Sequence, residues 1–124
     1  MYPKNDIHSD NGHIAPIKFT PLYKRKLWGG DKILPFKGLP PTQDHVGESW
    51  EISGVKGDET TVSGGPFDGM AVSELTNLLK GRLVGKRIYE AFGSEFPILV
   101  KFIDASKDLS VQVHPNDAMA QRHG

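Results

Sequence analysis

A mainly β fold, with short helices around residues 73–92, is what the sequence predicts, and three observations carry the prediction. Fourteen glycines and nine prolines in 124 residues cut the chain into short elements joined by turns, which argues against long helices. Several stretches alternate apolar and polar residues with the period of two that a strand requires, among them "GESWEISG" (Gly47 to Gly54) and "DLSVQVHP" (Asp108 to Pro115). The run "FPILVKFIDA" (Phe96 to Ala105) is nearly continuous in apolar residues and rich in β-branched ones, as a buried strand would be.

Taken in order, residues 1–15 are polar and aperiodic and read as a flexible N-terminal arm, with residues 16–124 as the folded part. "IKFTPLY" (Ile17 to Tyr23) alternates and is β-like. "KRKLWGGDKILPFKGLPPTQD" is loop-rich, with one helical turn expected before Gly29-Gly30; Pro35, Pro40 and Pro41 exclude a long regular element. In "GESWEISG", Trp50 and Ile52 share one face, and Ser49, Glu51 and Ser53 share the other. "ETTVSGGPFDGM" is a short strand followed by turns at Gly64-Gly65-Pro66 and Asp68-Gly69. "SELTNLLKG" is a helix with Ser73 as N-cap, an apolar stripe of Leu75, Leu78 and Leu79, and Gly81 at its C-terminal stop. "GKRIYEAFG" is a second short helix. "FPILVKFIDA" and "DLSVQVHP" form an antiparallel pair across a tight turn at Ala105 to Asp108, and "NDAMAQRHG" is one or two helical turns capped by Asn116.

The composition narrows the function classes. Fifteen basic residues balance fifteen acidic ones, so no broad electrostatic drive toward nucleic acid or an anionic membrane is expected. No apolar run approaches the roughly 20 residues of a bilayer span, and the first residues lack a basic n-region and apolar core. There is no cysteine, which removes disulfides and thiolate metal sites and agrees with a cytoplasmic location.

One polar strand face is unusual in chemistry. In "DLSVQVHP", Ser110, Gln112 and His114 lie on the side opposite Leu109, Val111 and Val113. Residues two apart on a strand are roughly 6–7 Å apart on the same side, so an imidazole and an amide oxygen can converge on one ion. Both are competent ligands for a borderline metal such as zinc, though a catalytic zinc needs about three protein ligands. An ordinary solvated strand face is the alternative reading of the same spacing. Lys101 is the one charge inside "FPILVKFI". It either snorkels out from an edge position or faces a ligand. Other candidates are weaker. "GRLVGKR" has one residue too few between its glycines for a phosphate loop and carries Arg87 where Ser or Thr is required, so it reads as a basic turn between helices. Glu48 and Glu51 fall on opposite strand faces and are not a paired acid and base. His8 and His13 sit in the polar arm.

Four stretches, in order, resemble type I mannose-6-phosphate isomerase (phosphomannose isomerase) in its shorter bacterial form: "KLWGG" (Lys26 to Gly30), "GESWEIS", "FPILVKFIDA" and "DLSVQVHPND". The resemblance runs from about Pro16 to the end of the chain. It implies a cupin-type jelly roll, a β-sandwich present here in part, and a zinc-dependent aldose–ketose isomerase interconverting mannose 6-phosphate and fructose 6-phosphate. It further implies that Gln112 and His114 are two of four zinc ligands, the others expected beyond Gly124, so that the chain is a truncated, inactive N-terminal portion of the enzyme. Lys101 and Ser110 are implied to bind phosphate or a sugar hydroxyl, Trp28 to wall the sugar, and Glu48 to accept a hydroxyl hydrogen bond; packing and sheet-edge hydrogen bonding are the alternatives for Trp28 and Glu48. No residue is assigned as catalytic base. A non-catalytic cupin-like module that binds a sugar, or that assembles through exposed strand edges, is the competing expectation.

Overall fold

Pro21 has no amide to donate and interrupts the first alternating stretch, so "IKFTPLY" yields two strands rather than one. In the computed structural model, which describes residues 14–41 and 45–108, β1 (Phe19–Thr20) precedes this proline and β2 (Leu22–Gly30) follows it. The chain continues through α1 (Ile33–Phe36), β3 (Val46–Ile52), β4 (Thr61–Val62), α2 (Val72–Leu79), α3 (Gly81–Val84), α4 (Lys86–Phe92) and β5 (Val100–Ile103). All pairings are antiparallel: β1 with β4, and a three-stranded sheet in the order β2-β3-β5. The longest described helix has eight residues, and none is long and apolar enough to cross a membrane.

The expected helical turn before Gly29-Gly30 is not there. β2 runs on through both glycines, and the turn comes after them as α1. The reason is a close crossing. After Lys24 the pairing with β3 shifts register, and the end of β2 passes over the start of β3 to reach the residues behind β5. Gly29 forms a bridge with Ala105, Gly30 N donates to Asp104 O at 3.0 Å, and Ser106 N donates to Trp28 O at 2.7 Å. A Cβ on Gly29 would stand 2.5 Å from His45 O and 2.7 Å from Gly47 N, so no larger residue fits. The turn expected at Ala105 to Asp108 is thus tied back to β2. Within α1, Pro35 falls in the first turn, where its missing N–H has no helical acceptor to lose.

The main core forms where α2 packs on the small sheet. Val62, Phe67, Leu75 and Leu79 are buried together, with Ile14, Ile17, Phe19, Met70 and Leu83 against them. Residues 1–13 of the expected arm lie outside the described residues, while Ile14, read as part of it, packs on this core. The buried stripe of α2 is Val72, Leu75, Thr76 and Leu79; Leu78 is turned outward and about half exposed, contrary to expectation. Ser73 is not the cap either. Ala71 holds that position, and Glu59 does the capping: its Oε1 accepts from Ser73 N at 2.7 Å and its Oε2 from Ser73 Oγ at 3.0 Å. A carboxylate there also complements the positive end of the helix dipole. The helix stops at Lys80, which adopts a positive φ of 54°, one residue before the expected Gly81. Gly81 instead opens α3, a single turn that carries most of "GRLVGKR" between the two longer helices.

A second cluster, Ile33, Leu34 and Val46, seats α1 on β3. The strand expected over Phe96 to Ala105 is only Val100–Ile103, and it is exposed rather than buried. It pairs along one side with β3, and the described residues do not cover its faces. The partner strand "DLSVQVHP" and the capped tail lie outside the described residues from Leu109 onward.

Candidate active-site face

β3 is the middle strand, so its side chains are flanked by both neighbours. Glu48 and Trp50, two apart, project from the same face. The register places Lys24 of β2 opposite Glu48, and Lys101 of β5 opposite Trp50. These four side chains form one polar cluster. Trp50 Nε1 donates to Glu48 Oε1 at 2.7 Å, and Lys101 Nζ donates to the same oxygen at 3.2 Å. The Lys24 ammonium lies 4.7 Å from the centre of a Trp50 ring and the Lys101 ammonium 5.8 Å, both within cation–π range. Lys24 is held from behind by an ion pair with Asp58.

Glu48 is 8% exposed, and burial on its own would raise its pKa. The hydrogen bonds from Trp50 and Lys101, with the positive charges of Lys101 and Lys26, outweigh that penalty and hold the carboxyl below the ordinary glutamate value. It is therefore an ionised acceptor. Lys101 has a negative partner in Glu48, with its side chain still 32% exposed. Trp28 has its ring against Gly47, the neighbour of Glu48, where a Cβ would meet Trp28 Cζ3 and Lys26 Cγ at 2.8 Å each.

The other face of β3 has different company. Glu51 pairs with Lys37, which also lies over the rings of Tyr23 and Phe102 at 5.2 and 5.8 Å. Glu48 and Glu51 are accordingly separate, as expected. Ser49 on this side is fully buried, and its hydroxyl has no partner among the described residues.

Of the expected site residues, the structure brings Glu48 and Lys101 into contact and leaves Trp28 against Gly47. Gln112, His114 and Ser110 lie outside the described residues. Among the described residues, no group of three or more His, Asp or Glu side chains is arranged to hold a metal. Trp50 is the member that sequence reasoning passed over. Its signal was the Glu-x-Trp spacing, which on a strand puts indole and carboxylate side by side.

Comparison with known proteins agrees with this arrangement of strands. The family model "Phosphomannose isomerase type I, catalytic domain" matches residues 17–123. The mannose-6-phosphate isomerase ManA of Bacillus subtilis (strain 168) is 38% identical over 111 residues, which is 87% of this chain and 32% of that protein. A mannose-6-phosphate isomerase of Streptococcus mutans is 34% identical over 112 residues, 87% of this chain and 33% of that protein. The chain thus spans about a third of the length of the relatives it matches. The crystal structure of the mannose 6-phosphate isomerase from Bacillus subtilis superposes with a TM-score of 0.68 at 32% identity, over 89% of this chain and 33% of that one. That match bears out a mainly β, cupin-type fold of which the chain forms a part. With the family model matching residues 17–123 and a solved relative superposing over 89% of the chain, the chain belongs to the type I phosphomannose isomerase family.

Proposed function

We propose that the whole protein interconverts mannose 6-phosphate and fructose 6-phosphate, and that this chain contributes one wall of the site. The observation that carries the reading is the Glu48–Trp50–Lys101 cluster, a buried ionised carboxylate and an ammonium held together on one face of the central strand. Isomerisation of an aldose to a ketose removes a proton from C2 and returns it at C1, through an enediol. The residues here bind and orient rather than take that proton. Glu48 is a poor base, because its carboxyl is held below the ordinary value and two donors occupy one of its oxygens. It suits a hydroxyl as hydrogen-bond acceptor. Lys101 retains the exposure to meet an anionic group, and Lys is apt for a phosphate as a point charge. Ser110 and Trp28 take the hydroxyl-binding and wall roles implied by the resemblance.

Gln112 and His114 would hold a zinc ion, and their donor chemistry fits it: an imidazole nitrogen and an amide oxygen, in a chain with no thiolate to compete. When bound, the ion would supply Lewis-acid stabilisation of a developing oxyanion. The remaining donors would come from outside these residues. The test is isomerisation of mannose 6-phosphate by the whole protein, followed by NMR of the sugar phosphates. Turnover should stop on chelation and return with zinc, and His114→Ala should abolish the return. Turnover that survives complete metal removal refutes the zinc-dependent reading.

Self-association is a second reading, favoured by exposed apolar side chains along β5 and beyond, with Phe102 and Ile103 about half exposed and Phe36 and Leu27 largely so. Sedimentation equilibrium of the chain distinguishes it: a monomer at high concentration removes this idea.

A further inference from the structure

The two hydrogen bonds on Glu48 converge in a way that the proposed role of the carboxylate does not by itself require. Both Trp50 Nε1, at 2.7 Å, and Lys101 Nζ, at 3.2 Å, end on Oε1. Neither of these donors ends on Oε2. A carboxylate pinned through one oxygen has its plane fixed while the other oxygen keeps its acceptor capacity. Trp50 is itself restrained. It sits on the central strand, and the Lys24 and Lys101 ammonium groups both lie against it. The Lys24 ammonium is paired with the Asp58 carboxylate.

We propose that Trp50 is a positioning residue, locking Oε1 of Glu48 together with Lys101 so that Oε2 is presented as a preorganised acceptor for a hydroxyl of the sugar phosphate. The identity of that ligand rests on the isomerase reading; the lock does not. A freely rotating glutamate would pay rotamer entropy on binding, and a carboxylate fixed in advance does not. The indole is well suited to the task because it is a donor only. It cannot compete with the ligand for a proton, and it holds the ionised form of Glu48 in preference to the neutral one.

The test uses Trp50→Phe in the whole protein, which keeps an aromatic ring beside both lysines and removes the Nε1 donor. The charged groups facing Glu48 are Lys24 and Lys26 of β2 and Lys101 of β5, and all three are unchanged in this variant. NMR of the Glu48 side-chain carboxyl gives its titration midpoint, and a mannose 6-phosphate titration of the same sample gives affinity. In a variant with the parent's backbone amide pattern, the midpoint should rise, and affinity should fall about two- to tenfold, the cost of immobilising one side chain on binding. An unmoved midpoint or an unchanged affinity overturns the proposal. Should Trp50→Phe fail to fold, the parent alone decides: the Trp50 indole proton should shift with the Glu48 midpoint as pH falls, and an indole signal indifferent to that titration refutes the lock. Absence of any mannose 6-phosphate binding by the parent counts against the isomerase reading and against the ligand assigned to Oε2, while the titration still decides what Trp50 does to Oε1.

Discussion

Replacing Glu48 by Gln isolates the charge of the cluster with little change of shape. Both donors end on Oε1, so a glutamine with its carbonyl oxygen in that place keeps an acceptor for Trp50 and for Lys101. What is lost is the ionic part of two hydrogen bonds. Bonds to charged groups contribute about 1.5–3 kcal/mol against about 0.5–1.5 for neutral ones, which for two bonds is roughly 2–3 kcal/mol. Two effects reduce it: the carboxylate no longer has to be desolvated, and the Lys101 side chain is 32% exposed, where solvent screens the attraction. A net loss of about 1–2 kcal/mol at neutral pH is expected. With a urea m-value of about 2 kcal/mol/M, the unfolding midpoint falls by about 0.5–1 M. The sign with pH follows from the lowered pKa. A carboxyl whose folded pKa lies below its unfolded value stabilises the fold above the unfolded value, about 4.3, and loses that contribution as pH falls through the folded value. The gap between parent and Glu48→Gln should therefore be constant near neutrality and close in acid, where both chains carry a neutral group. Urea unfolding followed by tryptophan fluorescence, from pH 7 down to pH 3, measures it. Equal stabilities at pH 7, or a gap that widens on acidification, would refute the claim that net attraction holds the ionised form.

Three further outcomes are expected from the same unfolding assay. Gly29→Ala should cost at least the roughly 1–3 kcal/mol of an overpacked core, because the new Cβ meets backbone atoms of His45 and Gly47 that cannot rotate away; near-parental stability would mean that β2 does not cross β3 so closely. Ser49→Ala should be neutral or slightly stabilising, since a buried hydroxyl without a partner among the described residues is removed; a loss above about 1 kcal/mol would reveal a partner. Leu75→Ala should cost about 2–5 kcal/mol, as the residue is fully buried in the main core, and a loss below about 1 kcal/mol would place that core elsewhere.

What could be read from sequence was what local chemistry decides. β3 announced itself by alternation between flanking glycines, and Lys101 by being the lone charge in an apolar run. The mistakes have a common cause, which is that the deciding partner is remote in sequence. Ser73 looks like a helix cap, but Glu59, fourteen residues earlier, takes the role. Gly29-Gly30 look like a helix stop, but they are glycines because β3 and the residues behind β5 come close there. The apolar run at Phe96 to Ala105 suggested burial, yet hydropathy does not say which neighbours are present to cover a strand. The candidate metal pair followed from spacing and family resemblance alone, and it lies beyond the described residues.

The crossing of β2 over β3 also bears on the order in which the molecule is built. Ser106 is joined to Trp28 across 78 positions of chain, and Lys32 N to Asp104 Oδ2 across 72. Contacts of such long loops close late in folding, after nearer pairings have shortened the path between their ends. The stretch from Asp104 to Lys107, which leads directly into "DLSVQVHPND", is therefore anchored only once β5 has joined β3. A nascent chain with the first four strands formed would lack this anchorage.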